Sequence, residues 1–481
     1  MYNYIIKYSG EIGIKSKNVR FGFIEKLTHN IKKAAGEDFV EIKKSFDLIR
    51  LTTANPIGEK LAKIPGIAYF SEVFEYNFKD IDDIIEKGVE FFKDSVKGKK
   101  FALKCKRRGN HSFTSVDVAD GIRRPLRDFG KIDLNNPEIT FDVEIKDSKL
   151  FLLQEKITGL GGLPMGVGGK TMLLFSGGID SAVVAFMLYK SGLDVEFLYF
   201  DLGGKEPLKC AINSAKHLKE NYGLGSRSRF TCIDFLDIVA EILKGNKTLL
   251  NLLLKYCFYT VAGKLQDKSS ADALATGESV NQVSTQTLKN LIALDSFSDK
   301  LILRPVIAMP KMDIIKIAYE IGTFNLAYKG KEFCALATKG VETAVKKEDL
   351  LDEINKLDLL PLIEKAIEKR QIIKLDEITD VGAFVDEFMK DSSISCSLPN
   401  SHENKNLEVI IDLREKEDFK LFNIPGSINI PYEIAFTDYV NWDKTKRYFL
   451  VCEEGRLGKI LAKKMKEEGF EVKYEENGMM T

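Results

Sequence analysis

The apolar positions of residues 1–76 change period along the chain. YNYIIKYSG alternates like a strand, VRFGFIEKLTHNIKKAAG repeats every three to four residues like a helix, VEIKKS and DLIRLTT alternate again, IGEKLAKIPG is helical and IAYFSEVFEY closes as a strand. That order predicts a β-α-β-β-α-β, ferredoxin-like unit. Residues 77–160 add a helix ending near Lys97, a basic strand FALKCKRR, a helix from Val116 to Arg127, and the hairpin ITFDVEIKDSKLFLLQEKI, turning at Lys146–Lys149. The glycines of GLGGLPMGVGGK, Gly159–Lys170, cannot support a helix or strand interior, so a domain boundary is placed there. From 161 to 388, short apolar strands (LLF, VEFLYF) alternate with longer amphipathic helices (DSAVVAFMLYKSG, EPLKCAINSAKHLKENYG). This rhythm predicts a doubly wound parallel sheet, helices on both faces, with ligands at the carboxyl ends of its strands. Residues 389–406 are polar and read as a linker, and 407–481 form a smaller α/β block with strands EVIIDL and YFLVC. The expected fold class is multidomain α/β.

Composition narrows the classes. The 481 residues favour about three domains. With 44% hydrophobic and 30% charged residues the chain can bury a core, which excludes extended disorder. The seven cysteines include no CxxC pair, so neither a structural zinc site nor a secreted disulfide framework is expected, and no metal-ligating side-chain set is assigned. Met1–Gly10 lacks the apolar run of a signal peptide, and no segment approaches the ~20 apolar residues of a membrane span. A reducing, cytoplasmic setting without membrane association fits best.

Candidate chemistry begins at FSGGIDS, Phe175–Ser181, between a buried strand and a helix. Gly177 and Gly178 let backbone N–H groups approach an anion, and Ser176 and Ser181 add hydroxyl donors at a helix N-terminus. The absence of GK[ST] excludes a Walker A loop. A glycine turn with Asp180 capping the helix is the alternative.

SGGIDS resembles the pyrophosphate loop of the adenine-nucleotide α-hydrolase class, which cleaves ATP to AMP and pyrophosphate. With DALATGESVNQVSTQTL (272–288), LRPVIAMPKMDIIKIAYEIGTF (303–324) and EFCALATK (332–339), the chain over essentially its whole length resembles the tRNA 4-thiouridine synthetase family, also linked to thiamine thiazole synthesis. The resemblance implies a PP-loop adenylation domain at 161–388 whose ATP site includes Leu174, Phe175, Ser176, Gly177, Gly178, Asp180, Ser181, Tyr199, Phe200, Lys255, Gly277 and Gln286. Each has a physical rationale. Tyr199 and Phe200 at a strand end can flank a base or serve as sheet core, Gly277 permits close backbone approach, and Lys255 offers charge to phosphate. The family's loop usually has glycine at Asn281, and asparagine tolerates positive φ better than most residues. Mg²⁺ is expected on the ATP phosphates, with Asp180 helping to orient it.

Cys452 follows the strand YFLV and opens the turn CEEGRLG before a helix, where N–H groups and the helix dipole favour a thiolate or persulfide. DLREKEDFKLFNIPGSINIPY (412–432) resembles a rhodanese domain, which places Cys452 at that family's persulfide position. Glu453 and Glu454 oppose a lowered thiol pKa, and Asn423 replaces a common His. Delivery of sulfur by a docked cysteine desulfurase is therefore favoured over turnover of free thiosulfate. The resemblance assigns Cys334 the resolving role, in which it forms a disulfide with Cys452 that a thiol reductant reopens. Cys105, Cys210, Cys232, Cys257 and Cys396 are read as packing or surface residues.

Lys97–Lys131 holds eleven Lys/Arg against three Asp, an excess suited to phosphates. The segment resembles the THUMP domain, implying tRNA binding by Lys104, Lys106, Arg107, Arg108, Arg123 and Arg124 through RNA shape and backbone. The expected activity is adenylation of the C4 oxygen of uridine 8 of tRNA and its replacement by sulfur. The alternative acceptor is a thiamine sulfur-carrier protein. The sequence leaves homodimer formation open.

Overall fold

A computed structural model describes residues 1–45, 47–226, 228–327, 342–390, 408–421, 423–424, 426–453 and 455–475. The chain divides into two compact units, one made of 1–168 with 189–193 and 221–226, the other of the remainder.

The first unit carries strands β1 (Tyr2–Tyr8), β2 (Phe39–Lys44), β3 (Ile49–Thr53), β4 (Ile67–Asn77), β5 (Lys100–Arg108), β6 (Lys131–Ile132), β7 (Ile139–Lys146), β8 (Lys149–Leu153) and β9 (Ile157–Thr158). They form one sheet in the order β2-β3-β1-β4-β8-β7-β5-β6, with β9 also on β4. The β2-β3-β1-β4 part is antiparallel throughout, the expected ferredoxin-like arrangement. The sequence pattern did not reveal that β4 continues the sheet. Its Val73–Asn77 half pairs with Leu153–Lys149, so a boundary at 76/77 falls inside a strand. Each half keeps its own apolar core. Ile6, Leu27, Ile31 and Leu51 pack in the first, and Phe92, Phe101, Val118, Ile122 and Phe141 in the second. The helix Ser115–Leu126 begins at a capping box in which Thr114 N donates to Asp117 Oδ2 (2.7 Å) and Asp117 N donates to Thr114 Oγ1 (3.2 Å).

The second unit has β10 (Lys170–Leu174), β11 (Asp194–Asp201), β12 (Phe230–Asp234), β13 (Ala273–Ala275), β14 (Ile302–Leu303) and β15 (Gln371–Ile373). The order is β14-β13-β10-β11-β12-β15, parallel except for β15, which runs antiparallel to β12. The chain lays down β10, β11 and β12 in one direction and then crosses to the other side of β10 for β13 and β14. This reversal opens a crevice at the carboxyl ends of β10 and its neighbours, where ligands of such sheets bind. A four-stranded parallel sheet follows: β16 (Glu408–Asp412), β17 (Ile428–Asn429), β18 (Arg447–Val451) and β19 (Glu471–Tyr474), ordered β17-β16-β18-β19. Most of the expected linker at 389–406 lies outside the described residues. Among those described, no helix is long and apolar enough to cross a membrane.

Candidate functional site

Three strand ends supply the crevice. After β10, Phe175 is buried edge-to-face on Phe197 (4.9 Å), and its N–H continues the ladder to Leu198 O (2.8 Å). The chain then turns through Gly177 at φ 76°, where a Cβ would lie 2.6 Å from Ala211 Cα. Only glycine fits there. Ser176 is exposed, and its Oγ accepts from Gly178 N (3.3 Å) and lies 3.3 Å from Ser181 Oγ. The helix Ile179–Lys190 thus starts behind two hydroxyls and a glycine cradle, the donor set that an anion requires.

Asp180 does more than begin that helix. Both of its oxygens accept from Lys311 Nζ (2.7 and 2.9 Å), and Oδ2 accepts from Gln282 Nε2 (3.0 Å). Lys311 opens the helix Lys311–Glu320 and is exposed, so the ammonium stands at the mouth of the loop. Neither Lys311 nor Gln282 was among the residues picked from sequence. Lys311 is 131 residues from Asp180 and carries no local signature.

After β13, Gly277 comes against the same helix start, and a Cβ there would be 2.9 Å from Ser181 N. The next turn depends on Asn281, which takes φ 61° as its residue type allows. Gln286 braces this turn, with Oε1 accepting from Ser279 N (3.3 Å) and its carbonyl from Asn281 N (3.0 Å). The braced turn presents Gln282 to Asp180.

Two expectations are sharpened in the structure. Tyr199 and Phe200, read as flanking a base or as sheet core, are both buried in aromatic packing. Tyr199 stacks with Phe230 (5.7 Å) and Phe200 with Phe258 (4.3 Å). Their rings belong to the sheet core, which leaves backbone to line a nucleotide. Lys255, expected to offer charge to phosphate, is buried and bound to Glu278 Oε1 (2.7 Å). Glu278 Oε2 accepts from Tyr259 OH (2.5 Å), Thr276 Oγ1 (3.1 Å) and Arg304 Nε (2.8 Å), and Arg304 also pairs with Asp295. Burial would raise the Glu278 carboxyl, but Lys255 and Arg304 override it and hold the pKa at about 2. A lone glutamate in ALATGES, just past an apolar strand, was the available signal for this cluster.

The C-terminal sheet presents Cys452 at the end of β18. The thiol is buried, and Gly458 N–H points at Sγ (3.4 Å) from the first turns of the helix Arg456–Glu467, entered through Gly455 at φ 76°. Asp412, fully buried at the end of neighbouring β16, receives Arg414 Nε and Nη2 (3.1 and 2.7 Å). Arg414 is held further protonated by Asp412 and, more weakly, by Asp418 and Glu453. Glu454 and Cys334 lie outside the described residues. Burial pushes the Cys232, Cys257 and Cys210 thiols up and sets Cys105 at about 11, so these four are poor nucleophiles.

The helix after Cys452 packs on the nucleotide-type sheet. Gly203, just beyond β11 at φ 95°, leaves room for Arg456, whose Cγ would be 3.2 Å from a Cβ there. Lys463 pairs with Asp237, and one apolar cluster runs through Leu202, Phe235, Leu236, Tyr432 and Leu461. Strand β11 therefore contributes to the crevice and to the seat of the sulfur-bearing domain.

In the first unit the basic residues separate. Lys104, Lys106 and Arg108 are exposed at alternate positions of β5, on one face, and Arg124 is exposed on the helix Ser115–Leu126. Arg107 instead donates to Gly109 O (3.0 Å) and to His111 Nδ1 (3.1 Å), and Arg123 pairs with Asp120 (2.6 Å). These two shape their own elements.

Family models match in the same order along the chain: the ThiI ferredoxin-like domain at residues 3–71, the THUMP domain at 78–153, the thiamine biosynthesis protein (ThiI) family at 166–359 and the rhodanese-like domain at 398–480. The tRNA sulfurtransferase of Pseudomonas fluorescens (strain Pf0-1) is 32% identical over 483 residues, 97% of each chain. The chain belongs to the tRNA sulfurtransferase family. A second tRNA sulfurtransferase, from Escherichia coli O1:K1 / APEC, is 32% identical over 97% of this chain and 98% of its own. A solved structure described as a 4-thiouridine synthetase–RNA complex with bound ATP superposes with TM-score 0.70 at 26% identity, covering 78% of this chain and 99% of that one. A Pyrococcus horikoshii structure at 22% identity and TM-score 0.52 shares the fold, covering 67% of this chain and 100% of that one. As a tRNA sulfurtransferase, the chain is an enzyme whose phosphate-type loop and C-terminal cysteine belong to a single catalytic protein.

Proposed function

We propose that the protein binds ATP in the crevice after β10, activates the C4 oxygen of uridine 8 in tRNA and replaces it with sulfur carried by Cys452. The observation that carries this reading is the placement of the Cys452 helix against Gly203, at the end of the strand that also borders the phosphate loop. Support for the RNA partner comes from the exposed row Lys104, Lys106 and Arg108 together with Arg124, whose charges suit a phosphate backbone.

In this reading Ser176, Gly177, Gly178 and Ser181 hold the phosphates of ATP. Leu174 and Phe175 end the strand beneath, Gly277 and Gln286 shape the opposite wall, and Tyr199 and Phe200 contribute backbone. The uridine O4 attacks the α-phosphorus, an O–P bond forms and pyrophosphate leaves. Lys311 lies where an ammonium can stabilise charge on the departing phosphates. Asp180, a carboxylate beside the loop, would help hold Mg²⁺ on the ATP phosphates on exchanging its contact with Lys311. Mg²⁺ would neutralise charge on the phosphates.

The terminal sulfur of a Cys452 persulfide then attacks C4, and the C4–O bond breaks to release AMP. A Cys334 thiolate attacks Cys452 Sγ and cleaves the S–S bond. Sulfur remains on C4, and a Cys334–Cys452 disulfide takes the two electrons' worth of oxidation. A thiol reductant returns both cysteines, and a cysteine desulfurase reloads Cys452 in a reducing, cytoplasmic setting. Transfer to a thiamine sulfur carrier is not favoured, because the relatives spanning the chain are named for tRNA.

Mass spectrometry of nucleosides from tRNA incubated with the protein, ATP, cysteine and a desulfurase tests this. The expected result is 4-thiouridine formed with AMP in equal amounts, and neither from Cys452→Ser. ATP consumption without thiolated nucleoside would refute the assignment.

A further inference from the structure

The Glu278 cluster is more elaborate than a strand end requires. Its carboxylate is buried with both oxygens engaged, and it ties the helix Leu250–Asp267, through Lys255 and Tyr259, to the end of β14, through Arg304. Arg304 carries the tie onward to Asp295, the last residue of the helix Leu288–Asp295. Two cations face two carboxylates, so the cluster is neutral and Lys255 is not surplus charge waiting for a ligand. Buried ion pairs of this kind contribute little net stability compared with apolar packing of the same volume, so stability alone is a weak reason for one to be here.

The position supplies a better reason. Glu278 directly follows Gly277, the residue pressed against the start of the phosphate-loop helix with room for no side chain. Thr276 on the other side of Gly277 donates to the same carboxylate. Gly277 is thereby clamped from both flanks, and Lys255 anchors the clamping carboxylate to the helix Leu250–Asp267. We infer that Glu278 is a positioning residue for nucleotide binding, one that sets the approach of the Thr276–Ser279 segment to the phosphate loop. This rests on the ATP reading above. Glu278 acts through Gly277 and touches no reacting atom.

The test is equilibrium binding of a non-hydrolysable ATP analogue to the full-length protein by calorimetry, with Val261→Ala as a stability control. Val261 is a buried apolar residue on the same helix as Lys255, and its truncation loosens the core without touching the cluster. Wild type should bind, and failure there would sink the ATP reading rather than this inference. Glu278→Gln should bind about tenfold more weakly or worse, the size of losing a hydrogen bond to a charged group, while Val261→Ala stays within about twofold of wild type. Affinity of Glu278→Gln less than about fivefold below that of Val261→Ala would overturn the assignment, whatever the melting temperatures. If the glutamine variant does not fold, Glu278→Asp decides. It keeps the charge and withdraws the carboxylate by one methylene, so positioning predicts weaker binding, and wild-type affinity would mean that only charge balance matters.

Discussion

Lys463, in the helix that follows Cys452, is ion-paired with Asp237, in the helix Leu236–Ile242 that follows β12. Asp237 also receives Lys365 Nζ at 3.3 Å, and although burial opposes its ionisation, Lys463 and Lys365 hold the carboxyl below its usual range. The pair fastens the sulfur-bearing domain to the nucleotide domain. Lys463→Glu should lower tRNA thiolation by about three- to tenfold, the worth of a partly buried charge pair, without slowing persulfide loading of Cys452. The Lys463→Glu/Asp237→Lys exchange should recover most of the loss. Parallel assays of persulfide content and 4-thiouridine yield check this, and a single variant deficient in loading but normal in transfer would contradict it.

Lys311 and Asp180 should behave as one unit. Lys311→Ala and Asp180→Asn are each expected to reduce AMP formation by about a hundredfold or more, the range for removing a preorganised charge from a transition state. The double variant should be little worse than either alone, because residues acting together are non-additive. Single-turnover assays with labelled ATP measure all three.

Gly177→Ala places a methyl group 2.6 Å from the Ala211 backbone at a φ of 76°. The turn must distort, at about 1–3 kcal/mol. The melting temperature should fall, and nucleotide protection against unfolding should vanish. An alanine variant still protected by ATP would show that the loop tolerates another shape.

The salt dependence of RNA binding separates the two groups of basic residues. Arg108→Glu and Arg124→Glu should each weaken tRNA binding and reduce the log–log salt slope by about one. Arg123→Gln, which removes a charge already paired with Asp120, should alter the slope far less.

Acid titration should report the Glu278 cluster. The carboxyl is depressed in the folded protein, to about 2 against an ordinary 4.5, so the unfolded chain binds its proton first as pH falls. Stability from this group is fully present above the unfolded value and is lost as pH drops from about 4.5 towards 2. Glu278→Gln should flatten the acid limb of the unfolding free energy in that window, measured by denaturant titration at successive pH values.

Local pattern carried the sequence reading a long way. The strand-helix alternation announced the parallel sheet, FSGGIDS announced a turn that only glycine could make, and Asn281 adopts the left-handed backbone that its residue type allows. What escaped was contact between residues remote in the chain. Lys311 reaches Asp180 across 131 positions, and Lys255 is tied up by a glutamate 23 residues away, neither of which leaves a periodic trace. The aromatic pair Tyr199 and Phe200 looked equally fit for a base or for a core, and only the positions of Phe230 and Phe258 decide between them. Likewise, alternation along β5 sorts Lys106 from Arg107 only once the covered side of the sheet is known.

The ladder between β4 and β8 has a further meaning for anyone dissecting the protein. A cut between residues 76 and 77 would unzip four of the five paired positions and leave two raw, sticky edges where there had been continuous hydrogen bonding. The first two modules should therefore melt together as a single cooperative block and be inherited as one piece, and either expressed by itself would be prone to clump.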